Sequence, residues 1–290
     1  MTFDEFIATA WDDHGDHPQA VADRLAASFD LITGSAQIPP YARLLAHVWG
    51  EHLGQWQRGV ALIESLRRVP AFDGGSDATG TIARNVAALR CAGGDASALA
   101  GLADDDRAAA LALAAAALAG RNEFDRALAA YAEACRRVDA AGLARGSPAI
   151  RALAVAGNNL AAALEERRER TAAETAGMVQ AAEGGLRYWT LAGTWLEEER
   201  AQYRLARSLL AAGEPVRAVA AAQACVDVCA RHDAPAFERF FGHAALALAQ
   251  RAAGNRNGFL TARHDALEWH RNVPPEDRRW CEPDLSALAD

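Results

Sequence analysis

Phe124, Ala127, Tyr131 and Ala134 follow one another at steps of three and four residues, so they share one helical face that alternates large and small side chains. Leu111, Ala114, Ala115 and Leu118 share a face in the preceding stretch, and Gly120-Arg121-Asn122 separates the two. The pattern predicts a helical hairpin in which bulky residues on one helix fill the gaps left by alanines on the other. Similar stretches recur. Gly54-Gln55-Trp56, Gly94-Asp95, Gly213-Glu214-Pro215 and Gly254-Asn255 each end one amphipathic stretch and precede another, where a helix needs a residue that tolerates left-handed backbone. Gly54 and Gly94 lie 40 residues apart, and Gly213 and Gly254 lie 41 apart. An interval repeated this closely marks stacked supersecondary units. Seven helical pairs are predicted, at roughly 1–33, 38–70, 78–103, 107–143, 148–193, 196–232 and 236–271, the third with a clipped helix at 96–102. Pro235, Pro274 and Pro275 mark helix ends, lacking a backbone donor. No linker separates domains, so the expectation is one continuous solenoid over 1–271 with a capping tail at 272–290 that carries Trp280 and Cys281.

The hairpin at Leu111–Ala134 resembles the tetratricopeptide repeat (TPR). Leu111 takes the first large slot of that repeat, Ala115 its signature small slot and Leu118 the later large slot, and Phe124, Ala127, Tyr131 and Ala134 form the second-helix ladder. Ala114 stands where the family has a large residue and Asn122 where it has the turn glycine. Leu205 to Cys225 fits with cysteine in the last small slot. Gly54-Gln55-Trp56 with Gly59, Ile63 and Leu66 keeps the second helix, while His47 fills the small slot of the first. The resemblance, to a divergent bacterial-type member, implies an all-α, right-handed α-α superhelix whose concave groove binds protein or peptide without catalysis. It also implies which positions line the groove. Counting from Ala206 gives Arg200, Tyr203, Arg207 and Leu210; Ala247 gives Phe241 and Arg251; Ala87 gives Arg84; Ala161 gives Asn158 and Glu165. Forked guanidinium groups flanking a phenol suit carboxylate oxygens, so an acidic or carboxylate-bearing protein or peptide is the expected partner. Intrahelical pairing with Glu197, Glu198 and Glu199 is the competing account of those arginines. The alternative function is a ligand- or peptide-responsive sensor acting through a partner protein. The lysine clamp of the family's chaperone-binding members has no counterpart, because the chain contains no lysine.

Composition narrows the picture further. Of 290 residues 51% are hydrophobic, nearly half of these alanine, which favours helices packed at short distance. All 30 basic residues are arginine, which rules out lysine-based nucleophilic chemistry. A net charge of −8 and a pI near 5.5 argue against nucleic-acid and anionic-membrane partners. The five cysteines, odd in number and scattered, predict a reducing, cytoplasmic setting, and the acidic N-terminus lacks the marks of a signal peptide.

The chemistry-bearing clusters are weaker signals. Cys225, Cys229 and His232 share a face and are competent zinc ligands, yet Cys225 already has a packing slot and no fourth ligand is evident. His264 and Glu268, with His270 near, read as a solvated face. Asp12-Asp13-His14-Gly15-Asp16-His17 offers carboxylate and imidazole ligands that could chelate a cation, yet reads better as an inter-helix turn capping the helix opened by Pro18. Glu165 to Arg170 alternates sign as an exposed helix end would. Ser35 and Ser97 lack a nucleophile's flanking pattern. No catalytic residue, metal or cofactor is therefore expected.

Overall fold

The computed structural model describes residues 1–95, 97–142 and 144–289. The chain forms two compact units divided after Ala156, and its described residues are helical without strands. The first unit contains α1 (Phe3–Asp13), α2 (Pro18–Ala27), α3 (Ile38–Ala46), a π-helical extension of α3 (His47–His52), α4 (Trp56–Ser65), α5 (Ser76–Ala92), α6 (Asp104–Gly120) and α7 (Phe124–Ala141). Helix α8 (Pro148–Glu165) begins in this unit and ends in the second. The second unit continues with α9 (Ala172–Ala192), α10 (Trp195–Ala211), α11 (Pro215–Arg231), α12 (Ala236–Ala252), α13 (Arg256–Arg271) and α14 (Arg278–Ala289).

Consecutive helices pack against each other within each unit, α6 on α7, α10 on α11 and α12 on α13 most extensively. Alanine makes the close approach possible. Helix α6 buries Ala108 to Ala112 and Ala114 to Ala119 all round, as a helix must when α5, α7 and the π-helix surround it. Opposite it, α7 buries Phe124, Ala127, Tyr131 and Ala134, the ladder read from the sequence. The turn signals also act as expected: Gly213 has φ +75° and Asn122 has φ +60°, so asparagine, which tolerates this region, takes the usual glycine's place. Thr171 and Thr194 close capping boxes with Glu174 and Glu197 that start α9 and α10.

The first unit's core centres on Tyr41, fully buried among Phe3, Phe6 and Phe29, with its hydroxyl donating to the Leu25 carbonyl at 2.6 Å. One expected element is missing. No helix follows α5 before α6 among the described residues; 97–101 is a run of turns, held by the Asp95 carboxylate accepting from the Ser97 backbone and hydroxyl and ending at Gly101 with φ +80°. The predicted helix begins at Ala96, which lies outside the described residues, and the segment is too short for a stable helix of its own.

Candidate functional site

The stripe expected along α10 exists, and its arginines are paired. The carboxylates that accept their hydrogen bonds lie on other helices, while Glu199 and Glu197 of α10 add electrostatic attraction to Arg200. Arg200 Nη2 donates to Glu238 Oε1 of α12 at 2.6 Å. Arg207 Nε donates to Glu165 Oε1 at 3.0 Å, while Arg204 Nη1 holds the other oxygen of that carboxylate at 2.7 Å. Glu165 is thus no solvated helix end: its side chain is only 13% exposed and balances two guanidinium groups.

The chain's own last helix supplies the carboxylate that the stripe was expected to bind. Asp284 of α14 is 4% exposed; it accepts from Arg207 Nη1 at 2.8 Å and from the Tyr203 hydroxyl at 3.2 Å. Burial raises the Asp284 carboxyl, with Arg207 and Tyr203 opposing that shift. For Arg207 burial acts downward, and Tyr203, Glu165 and Asp284 outweigh it. The phenol edge-packs on Phe241, with ring centroids 5.6 Å apart. Arg251 Nη2 donates to the Ala287 carbonyl at 3.0 Å and Arg263 Nε to the Leu288 carbonyl at 2.9 Å. Both therefore satisfy carbonyls at the C-terminal end of α14, where cations are favoured. Beside this seat a cleft of about 450 Å³ is lined by Glu165, Arg207, Leu210, Ala211, Leu248, Arg251 and Ala252.

Two further positions expected to line a groove stand differently. Arg84 belongs to the first unit, where Asp106 Oδ1 accepts from it at 2.7 Å and Thr81 Oγ1 at 3.0 Å. Asn158 lies on α8 where Gly185 of α9 approaches; a Cβ on that glycine would sit 3.0 Å from the Asn158 nitrogen.

The cysteine pair does not meet its expected third ligand. His232 is exposed and stacked on Trp195, ring centroids 5.4 Å apart. Cys225 and Cys229 instead face Glu199, 1% exposed, whose Oε1 accepts from the Cys225 thiol at 3.0 Å. Burial pushes the Glu199 carboxyl up to about 9; Cys229 and Glu238 add to this and the Cys225 hydrogen bond opposes it. The hydrogen bond with Cys229, then burial, push the Cys225 thiol up. His270 packs on Phe240 and Glu268 pairs with Arg271. In the Asp12 to His17 turn no side chain caps α2.

No family model matches this chain, and no curated protein matches it in sequence. Solved structures do. A Podosopora anserina protein described as a kinesin light chain with nearly identical TPR-like repeats is similar at 15% identity and TM-score 0.50, over 79% of this chain and 92% of that one. A single-residue variant of the same protein is similar at 16% identity, with the same coverage and TM-score. Helical-repeat folds of this kind commonly mediate protein–protein interaction across the surface their stacked helices present. No helix among the described residues is long and apolar enough to cross a membrane. At this identity the likeness is one of architecture, and the chain has a TPR-like helical-repeat fold.

Proposed function

We propose that this chain is a noncatalytic protein-binding scaffold whose second unit seats a carboxylate-bearing helix on Tyr203 and Arg207, beside the Arg200–Glu238 pair, with α14 as its resident intramolecular occupant. The observation that carries the reading is the Asp284 carboxylate held by both Arg207 and Tyr203. A partner segment would repeat that contact and extend into the adjoining cleft lined by Leu210, Leu248 and Arg251. Pro283 within α14 removes a helical hydrogen bond, which makes the resident helix the easier to displace.

The test uses the full chain, its Asp284→Ala/Leu288→Ala variant to loosen α14, and a fluorescent peptide with the sequence of residues 275–289. The loosened variant is expected to bind the peptide saturably, and the wild type more weakly. A peptide with asparagine in place of the Asp284 carboxylate should bind about tenfold more weakly or worse, since a charge-assisted contact is lost. Adding Arg207→Lys to the loosened variant should also weaken binding, because lysine keeps the charge and loses the fork. Equal affinity for both peptides, or no binding to the loosened variant, would place the partner surface elsewhere.

A further inference from the structure

The turn after α1 and the π-helix after α3 bring three histidines together in the first unit. Each of His14, His47 and His52 offers a ring nitrogen within 4.8 Å of those of the other two. We propose that they form a binding site for a zinc-class divalent cation, with three imidazole ligands and an open fourth position.

Backbone geometry creates the cluster. Residues five apart lie about 140° apart around an α-helix, so His47 and His52 would point apart there. A π-turn closes its hydrogen bond between residues five apart, and the segment His47–His52 takes this form, with the Leu53 amide donating to the Val48 carbonyl at 3.1 Å. The two imidazoles then meet, Nε2 to Nε2, at 3.2 Å. Tetrahedral zinc with Zn–N of about 2.0–2.1 Å requires nitrogens about 3.3 Å apart. Helix α6 braces the segment: Gly120 packs so closely that a Cβ there would sit 2.7 Å from the Glu51 carbonyl oxygen, and Arg121 Nη1 donates to the His52 carbonyl at 2.7 Å.

The outer contacts are those that make imidazoles good ligands. Metal-binding histidines donate their second ring N–H to a carboxylate or backbone carbonyl, which fixes the tautomer and aims the other nitrogen inward. His47 Nδ1 pairs with Glu51 Oε1 at 2.9 Å, and His14 Nδ1 contacts the Trp11 carbonyl. Their Nε2 lone pairs are thereby left for the centre. Trp11 packs against His14 and His47, with centroids 5.1 and 5.0 Å away, and walls one side. The competing account is a plain imidazole–imidazole hydrogen bond with His14 as a bystander.

The experiment titrates the metal-stripped full chain with Zn²⁺ alone and, separately, with Co²⁺. One Zn²⁺ per chain should bind saturably. His47→Gln and His52→Gln should each abolish that binding with helicity intact, and Glu51→Gln should weaken it about tenfold through the lost outer contact. Cys225→Ser/Cys229→Ser, which disarms the buried Glu199 cluster, should leave binding unchanged. Bound Co²⁺ should show visible ligand-field bands without thiolate charge transfer, a readout that holds even if a histidine variant fails to fold. Absence of saturable binding, binding unchanged in the folded histidine variants, or a thiolate band lost with the cysteines would each overturn the proposal.

Discussion

Glu199 is the side chain whose protonation folding changes most plainly. Its carboxyl rises from an ordinary 4.5 to about 9 in the folded chain, burial being the main cause. The sign follows from linkage: the folded state holds this proton over a range where the unfolded chain has released it. The group's contribution is therefore fully present below about 4.5, declines as pH rises, and is gone above about 9. Glu199→Gln cannot lose a proton and should flatten that slope. Urea midpoints of both proteins at several pH values across this window check it, and the variant should gain on the wild type as pH rises. Parallel curves would show that Glu199 ionises normally. The sequence did not disclose this pairing, since Cys225 lies 26 residues from Glu199. Arg207 was singled out from repeat position alone, whereas its pairing with Glu165 and Asp284, 42 and 77 residues away, needed the fold.

At the scale of elements, local periodicity carried the reading where neighbouring helices are regular and failed where the backbone departs from the α period. The α6–α7 hairpin was readable because three- and four-residue spacing maps onto one face. The π-helix was not, because His47 and His52 share no face at 3.6 residues per turn, and the 97–101 turns follow from glycine placement that a helical pattern overrides. The hairpin reading makes a mechanical prediction. Ala127 is fully buried in α7, so Ala127→Leu should overpack the pair and cost about 1–3 kcal/mol. Glu133, paired with Arg136 and Arg137 on the surface, is the control: Glu133→Gln should cost less than about 1 kcal/mol. Chemical denaturation of the two variants decides, and equal small losses would mean that α7 does not seat on α6 through its alanines.

For the molecule as a whole, composition and turn spacing disclosed an all-helical repeat protein with a tail at 272–290 expected to cap it, but not that this tail is a helix. A tail with proline inside it and no apolar run carries a weak helical signal, yet α14 buries Cys281, Asp284 and Leu288. Cys281 and Leu288 join the core shared by α10 to α13, whose apolar face α14 covers. A terminal cap with a polar outer side keeps repeat proteins from associating through their open end. Leu288 is 1% exposed, and Leu288→Asp would force an unpaired carboxylate into that core, so α14 should detach instead of burying the charge. The expected result is a lower denaturation midpoint together with concentration-dependent self-association, because the uncovered apolar face then seeks another surface. Ser286→Asp, at an exposed position on the same helix, supplies the matched charge without the burial and should leave both properties near wild type. Sedimentation velocity over a range of protein concentrations, read beside urea unfolding, separates the two variants. A Leu288→Asp chain with unchanged stability and unchanged sedimentation would mean that α14 contributes little as a cover, and that the apolar face beneath it is tolerated in water.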